Sequence, residues 1–355
     1  MKSIYASAAM SELRTRAREN SVPISSSFEL TARCNLNCKM CYIHTCDNAH
    51  IADDELTTEQ WKKIMDEAYD AGMMFALLSG GECLLRKDFK ELYLHLHNKG
   101  VFVSINTNGV ALTEDIAKFL SLHRPESVQI TLYGSDNEKY RNVCGVPAFD
   151  KVDRAIQLIQ KYSLPLRIAI TASKYMKDDF QMMYSYLKSM NVDTLVSYNL
   201  IAPRDGTEDV SSLTADEIIQ MELRKRQLDG KAVHRADSAA PAPGGNSDAE
   251  QFGLPCSAGL SAFVITPKGD MIPCSSLPEI HINVLKNGFR EAWEYVNHSV
   301  KTIPAARECI GCPYNGKCVK CPAQRYNGIW SGHCNPQICD LSVKRFNAGL
   351  LTLKK

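Results

Sequence analysis

Six short apolar runs, five of them followed by an amphipathic helical pattern, constrain the fold of this chain more than any other feature. The runs are Ser26–Thr31, Phe75–Leu78, Val101–Ile105, Val128–Leu132, Leu166–Ile170 and Thr194–Tyr198. Helical patterns fill the intervals at Thr58–Ala71, Asp88–Asn98, Glu114–Ser121, Phe149–Tyr162 and Asp178–Met190, and the stretch 56–60 offers a threonine N-cap for the first of them. Strands that alternate with helices pair in parallel through helical crossovers. The expectation is an α/β chain whose six strands curve into a partial (β/α)6 barrel. Ligands in such folds gather at the C-terminal ends of the strands.

The first strand leads directly into Cys34-Asn-Leu-Asn-Cys38-Lys-Met-Cys41, a C-x3-C-x2-C run. Three thiolates this close can ligate three irons of one [4Fe–4S] cluster, leaving the fourth iron open for a chelating cofactor. A zinc knot using His44 and Cys46 is the alternative, although zinc sites more often pair C-x2-C units with a second such unit or a histidine. The chain holds 14 cysteines, grouped mainly at 34–41 and 309–339, with no convincing signal peptide. That usage argues for thiolate ligands in a reducing cytoplasm rather than for disulfides. Charge is balanced, 41 basic against 40 acidic residues, which gives no reason to expect nucleic acid or a membrane surface as partner. No apolar run approaches the ~20 residues of a membrane span.

Polar motifs follow the next strands. The second ends in Ser79-Gly80-Gly81-Glu82: paired glycines permit close backbone approach, and a carboxylate can accept a hydrogen bond from an ammonium group. The third carries the polar side chains Ser104 and Asn106 at its end, although an ordinary Asn-Gly turn at 108–109 explains the end of the stretch equally well. The fourth leads to Tyr140-Arg141 and to Cys144.

In this order the motifs resemble the radical S-adenosylmethionine (SAM) enzymes. The resemblance implies that Cys34, Cys38 and Cys41 hold the SAM-binding cluster, that Gly80, Gly81 and Glu82 receive the SAM amino group, that Ser104 and Asn106 meet its ribose, and that Arg141 lies near its carboxylate. Met40 or Tyr42 would line the adenine pocket. Cys83 stands where many relatives have proline. Cys144, beside a SAM-facing loop, is a candidate hydrogen donor to a substrate radical, with a packed structural cysteine as the alternative.

Cys256 and Cys274 precede the array Cys309-x2-Cys312-x5-Cys318-x2-Cys321, and Cys334 and Cys339 follow it. This is similar to the SPASM extension of radical SAM enzymes, with structural zinc as the rival reading. The likeness would assign Cys256, Cys274 and Cys321 to a first auxiliary [4Fe–4S] cluster, and Cys309, Cys312, Cys318 and Cys339 to a second. Cys334 competes with Cys339; alternatively it or another group completes the first cluster, or one iron of that cluster is open for substrate. The expected organisation is an N-terminal segment 1–23, a barrel 24–228, a linker or mobile loop 229–253 rich in Ala, Pro, Gly and Ser, a cysteine-rich domain 254–342 and a tail 343–355. Only about 25 residues precede the first strand, fewer than a leader-recognition domain needs, so the expectation is either a separate leader-binding protein or a substrate without a leader. The implied activity is reductive cleavage of SAM and hydrogen abstraction from a peptide, closing a thioether or carbon–carbon bond, with an external reductant of flavodoxin or ferredoxin type. A sulfatase-maturase-like or small-metabolite dehydrogenase or epimerase is the alternative, and a non-enzymatic iron–sulfur or zinc module is the remaining one.

Overall fold

The computed structural model describes residues 8–43, 54–204, 211–231, 240–242, 253–315, 317–318, 321–326 and 328–352. His44, Cys46 and most of the stretch 229–253 lie outside them. After a helix α1 (Ala8–Glu19) the barrel elements run β1 (Ser25–Glu29), α2 (Thr58–Asp70), β2 (Phe75–Ser79), α3 (Phe89–His97), β3 (Phe102–Thr107), α4 (Glu114–Leu122), β4 (Ser127–Thr131), α5 (Asn137–Cys144), α6 (Phe149–Lys161), β5 (Leu166–Thr171), α7 (Phe180–Ser189) and β6 (Asp193–Ser197). They form the expected alternation. Thr57 caps α2 in a capping box with Gln60, satisfying backbone donors that the first helical turn leaves open.

Neighbouring strands pair in parallel so that like faces align. Phe28 lies beside Leu78, Leu78 beside Ile105 and Ile105 beside Val128. This apolar face packs against helices: Phe28 meets the indole of Trp61 edge-on at 5.8 Å, and α2 buries Trp61, Ile64, Met65 and Ala68, one stripe at helical spacing. The opposite face aligns Ser27, Leu77, Ser104 and Ser127, and then Asn106 with Gln129. Period-two alternation therefore leaves a mostly polar surface on the side that the helices do not cover.

The sheet is larger than six strands. Its order is β6-β5-β4-β3-β2-β1-β7-β8-β9, in which β7 (Ala262–Ile265) pairs in parallel with β1, and β8 (Asp270–Ile272) and β9 (Ile282–Asn283) continue antiparallel. The outer edge of β1 is thus closed by strands of four, three and two residues, too short to show a period in the sequence. Helices α9 (Val284–Asn287) and α10 (Phe289–Lys301) follow. Phe263 of β7 contacts the rings of Phe289 and Trp293 edge-on.

Two compact units result. One comprises Met1–Ser211 with Ala258–Asn297 and holds the whole sheet; the other comprises Ser212–Ser257 with His298–Lys355. The second contains α8 (Ala215–Leu228), α11 (Pro322–Arg325) and α12 (Pro336–Asn347) together with the late cysteines. Arg345 of α12 binds Glu222 of α8 through two nitrogens, at 2.6 and 3.0 Å. No helix among the described residues is long and apolar enough to cross a membrane.

Candidate functional site

The loop leaving β1 carries Cys34, Cys38 and Cys41, and its base is held from three directions. Glu55 accepts hydrogen bonds from the Thr31 hydroxyl at 2.6 Å and the Ala32 amide at 2.7 Å. Arg86 donates to the carbonyls of Leu30 and Leu56 while its other nitrogens grip Asp88. The Gly80-Gly81 turn supplies the third brace: Gly81 N–H donates to Thr31 O at 2.7 Å and Glu82 N–H to Arg33 O at 2.8 Å. A Cβ on Gly81 would stand 2.5 Å from the Ala32 carbonyl oxygen, and Gly80 sits at φ +132°. Both positions therefore require glycine because the cysteine loop itself occupies the space a side chain would need.

Glu82 is completely buried. One carboxylate oxygen accepts from Leu84 N–H and Thr107 hydroxyl, and the other from Asn108 N–H at 2.7 Å. Burial nevertheless pushes its pKa upward against those donors. The carboxylate ties the end of β2 to the end of β3. Asn108 then reaches the loop, with its side-chain amide 3.5 Å from Cys34 Sγ and 2.7 Å from Asn35 Oδ1. Burial raises the Cys34 thiol to about 11, with Glu82, Cys38 and Cys41 adding electrostatic opposition to its ionisation.

The far side of the loop rests on α5. Asn37 N–H donates to Cys144 O and Lys39 N–H to Val143 O, at 2.9 and 3.0 Å. Between these bonds Cys38 Sγ lies 3.4 Å from Cys144 Sγ. Cys144 is fully buried, and its sulfur faces Cys38.

A buried ion pair also lies in the first unit. Glu29, at the end of β1, accepts two hydrogen bonds from Arg204 at 2.6 and 2.7 Å. It also accepts from Tyr42 Oη at 3.3 Å and Ser275 Oγ at 3.1 Å. The Arg204 guanidinium stands 5.1 Å from the centre of the Tyr42 ring. Tyr42 follows Cys41 and Ser275 follows Cys274, so one carboxylate joins two cysteine loops.

Of the other residues singled out in the sequence, Met40, Ser104 and Asn106 are half-buried and Arg141 is exposed on α5. Ser104 accepts from Ser127 Oγ at 3.0 Å, and the Asn106 carbonyl lies 3.4 Å from Cys83 Sγ. Glu29, Glu55, Arg86, Asn108 and Arg204 carry the architecture of the site but escaped sequence reasoning. Only Asn108 lies inside a motif, and the others meet the loop through separations that no spacing encodes.

In the second unit Cys309, Cys312 and Cys318 lie on successive turns, with Cys309 N–H bonded to Ala306 O and Cys318 N–H to Tyr314 O. Cys334 and Cys339 approach to 3.1 Å. Burial and the neighbouring Cys339 and Cys309 thiols push the Cys334 thiol far up. Glu308 fixes the Cys334 amide at 3.0 Å and His333 at 2.7 Å. Cys256 and Cys321 also belong to this unit, and Cys274 to the first.

Residues 28–187 match the family model described as the Radical SAM superfamily. The chain is 27% identical over 320 residues to the AdoMet-dependent heme synthase of Methanosarcina barkeri, covering 84% of this chain and 91% of that protein. It is 29% identical over 315 residues to the mycofactocin maturase MftC of Mycobacterium tuberculosis, covering 83% and 77%. Among solved structures, Streptococcus suis SuiB bound to its precursor peptide SuiA shares the fold at a TM-score of 0.68 and 13% identity, over 92% of this chain and 79% of that one.

Proposed function

Since the chain carries a radical SAM domain, we propose that it cleaves S-adenosylmethionine reductively and uses the resulting radical to abstract hydrogen from a peptide, closing a thioether or carbon–carbon crosslink. The observation that carries the reading is the trio Cys34, Cys38 and Cys41 on one braced loop at the C-terminal end of β1, beside the ends of β2 and β3. The donor chemistry fits a cluster: the three cysteines form no disulfide and stand together on one braced loop, and thiolates are the ligands that iron–sulfur clusters take. A [4Fe–4S] centre held there with SAM supplies one-electron cleavage to methionine and a 5′-deoxyadenosyl radical.

The protein's part is orientation. Glu55, Arg86 and the Gly80-Gly81 turn fix the base of the loop, and Asn108 and Cys144 contact its sulfurs. Glu82 locks the strand ends against which SAM would rest, with Gly80, Gly81, Ser104, Asn106 and Arg141 as the cofactor-facing candidates and Met40 and Tyr42 nearest the third cysteine. The late cysteines of the second unit would hold auxiliary clusters, with Cys309, Cys312 and Cys318 joined by Cys339 or its neighbour Cys334, and such clusters would supply an acceptor for the electron released when the substrate is oxidised. A cytoplasmic flavodoxin or ferredoxin type of reductant supplies the first electron.

Peptide substrates are supported by the likeness to a maturase and to a structure holding a precursor peptide. A tetrapyrrole substrate is the second reading, favoured by the coverage of the heme synthase, 91% of its length. The test is anaerobic reconstitution followed by measurement of 5′-deoxyadenosine with a precursor peptide encoded nearby or with a tetrapyrrole precursor of heme. Stimulation by the peptide together with a peptide mass lower by about two hydrogens, as one new crosslink requires, supports the first reading. Stimulation by the tetrapyrrole alone replaces it, and no SAM cleavage under any condition overturns both.

A further inference from the structure

We propose that Cys144 is a positioning residue whose thiol donates a hydrogen bond to the sulfur of Cys38 and thereby raises the reduction potential of the cluster that Cys38 holds. The proposal rests on the reading of Cys34, Cys38 and Cys41 as cluster ligands. It gives Cys144 a task other than hydrogen-atom donation to substrate.

Geometry singles out this sulfur. Cys144 Sγ is 3.4 Å from Cys38 Sγ, inside the range for a hydrogen bond between sulfurs. Two backbone bonds, Asn37 N–H to Cys144 O and Lys39 N–H to Val143 O, clamp the loop on either side of Cys38 to the last turn of α5. The pair is thus held by covalent neighbours of both cysteines, so the approach does not depend on a side-chain rotamer alone. Cys144 has no solvent-accessible surface, so its S–H, a weak donor, can be offered only to a partner within the protein. Gly145, at φ +76°, ends the helix immediately after it and turns the chain away, fixing where α5 stops. Asn108 makes the corresponding contact to Cys34 at 3.5 Å, so two ligand sulfurs receive side-chain donors from two different strand-end connections.

A donor to a ligating sulfur withdraws electron density from the iron–sulfur bond and stabilises the reduced, more negative cluster. The S–H group of Cys144 does this from a fully buried position on α5. Cys144→Ala removes the donor and leaves space for one sulfur atom; Cys144→Val fills that space without a donor; Cys144→Ser keeps a donor.

The experiment is a potentiometric EPR titration of the reconstituted full-length protein and these three variants, following the signal that changes when SAM is added. Iron content is measured in parallel. The expected result is a midpoint shifted to more negative potential in Cys144→Ala and Cys144→Val at unchanged iron, with Cys144→Ser close to the parent protein. A consequence is a several-fold smaller reduced fraction in the first two when the solution potential is poised at the parent midpoint. Unshifted midpoints in Cys144→Ala and Cys144→Val overturn the proposal while leaving the cluster assignment standing. So does a Cys144→Ser midpoint displaced as far as that of Cys144→Ala, since packing and not the donor would then be responsible. Parent protein with no SAM-responsive signal overturns the cluster assignment itself.

Discussion

Glu29 and Arg204 are separated by 175 positions and make a deeply buried ion pair, with side chains 1% and 17% exposed. Burial of a charge is tolerated only with a partner of good geometry and further donors, and Glu29 has four hydrogen bonds from three residues. Removing one partner leaves the other charge stranded. Arg204→Met is expected to cost about 3–5 kcal/mol of stability, read by urea unfolding, while adding Glu29→Gln in the same chain should recover much of it. A loss under about 1 kcal/mol, the range of solvent-screened pairs, would mean that water reaches the pair. The residue scale also explains the paired glycines. Their motif is visible in the sequence, but the close approach they permit is to the backbone of Thr31, Ala32 and Arg33, a contact that appears only when β1 and β2 lie side by side.

At the scale of elements, the start of α3 is fastened to α2. Asp88 accepts from the Thr58 hydroxyl at 2.6 Å and from two nitrogens of Arg86. Burial alone would raise the Asp88 carboxyl, but the Arg86 and Thr58 hydrogen bonds outweigh it and hold the group below its ordinary 3.8. A depressed folded value means that the stabilisation is present in full above the ordinary value and is lost as pH falls through the folded one. Asp88→Asn should therefore cost about 1.5–3 kcal/mol near neutrality, as expected for hydrogen bonds to a charged group. The difference from the parent protein should shrink below about pH 4. Urea unfolding at several pH values checks both, and a difference independent of pH would count against the ionised pair. The helices themselves were legible because each buries a stripe at helical spacing, as α6 does with Val152, Ala155, Ile156 and Ile159. Helix α5 was not, since its eight residues bury only Tyr140, Val143 and Cys144 and show no sustained period.

On the scale of the whole molecule, a sheet with one apolar and one mostly polar face sets the site where strand ends and cysteine loop meet. The brace of Glu55, Arg86 and Gly81 holds that loop through bonds that do not involve the cysteine sulfurs. Replacing Cys34, Cys38 and Cys41 together by alanine should therefore leave the fold intact and lower iron by about four per chain, one cluster. Iron and sulfide analysis with a circular dichroism spectrum tests this. The iron remaining then counts the clusters held by the later cysteines, and an unchanged total would remove the loop from consideration as a cluster site.

The sequence by itself determined the parallel strand–helix alternation, the placement of the cysteine triplet at the end of the first strand and the order of the polar motifs after it. Those features are local: period, spacing and turn chemistry act over a few residues and survive reading in one dimension. Only the tertiary structure decided that β7 to β9 extend the sheet from the edge of β1, that Glu29 meets Arg204, that Asn108 and Cys144 face the sulfurs of Cys34 and Cys38, and that Cys334 lies against Cys339. Each of these is a contact made by packing elements whose own signals are weak or absent. Packing depends on which surfaces fit together and not on how far apart their residues lie in the chain.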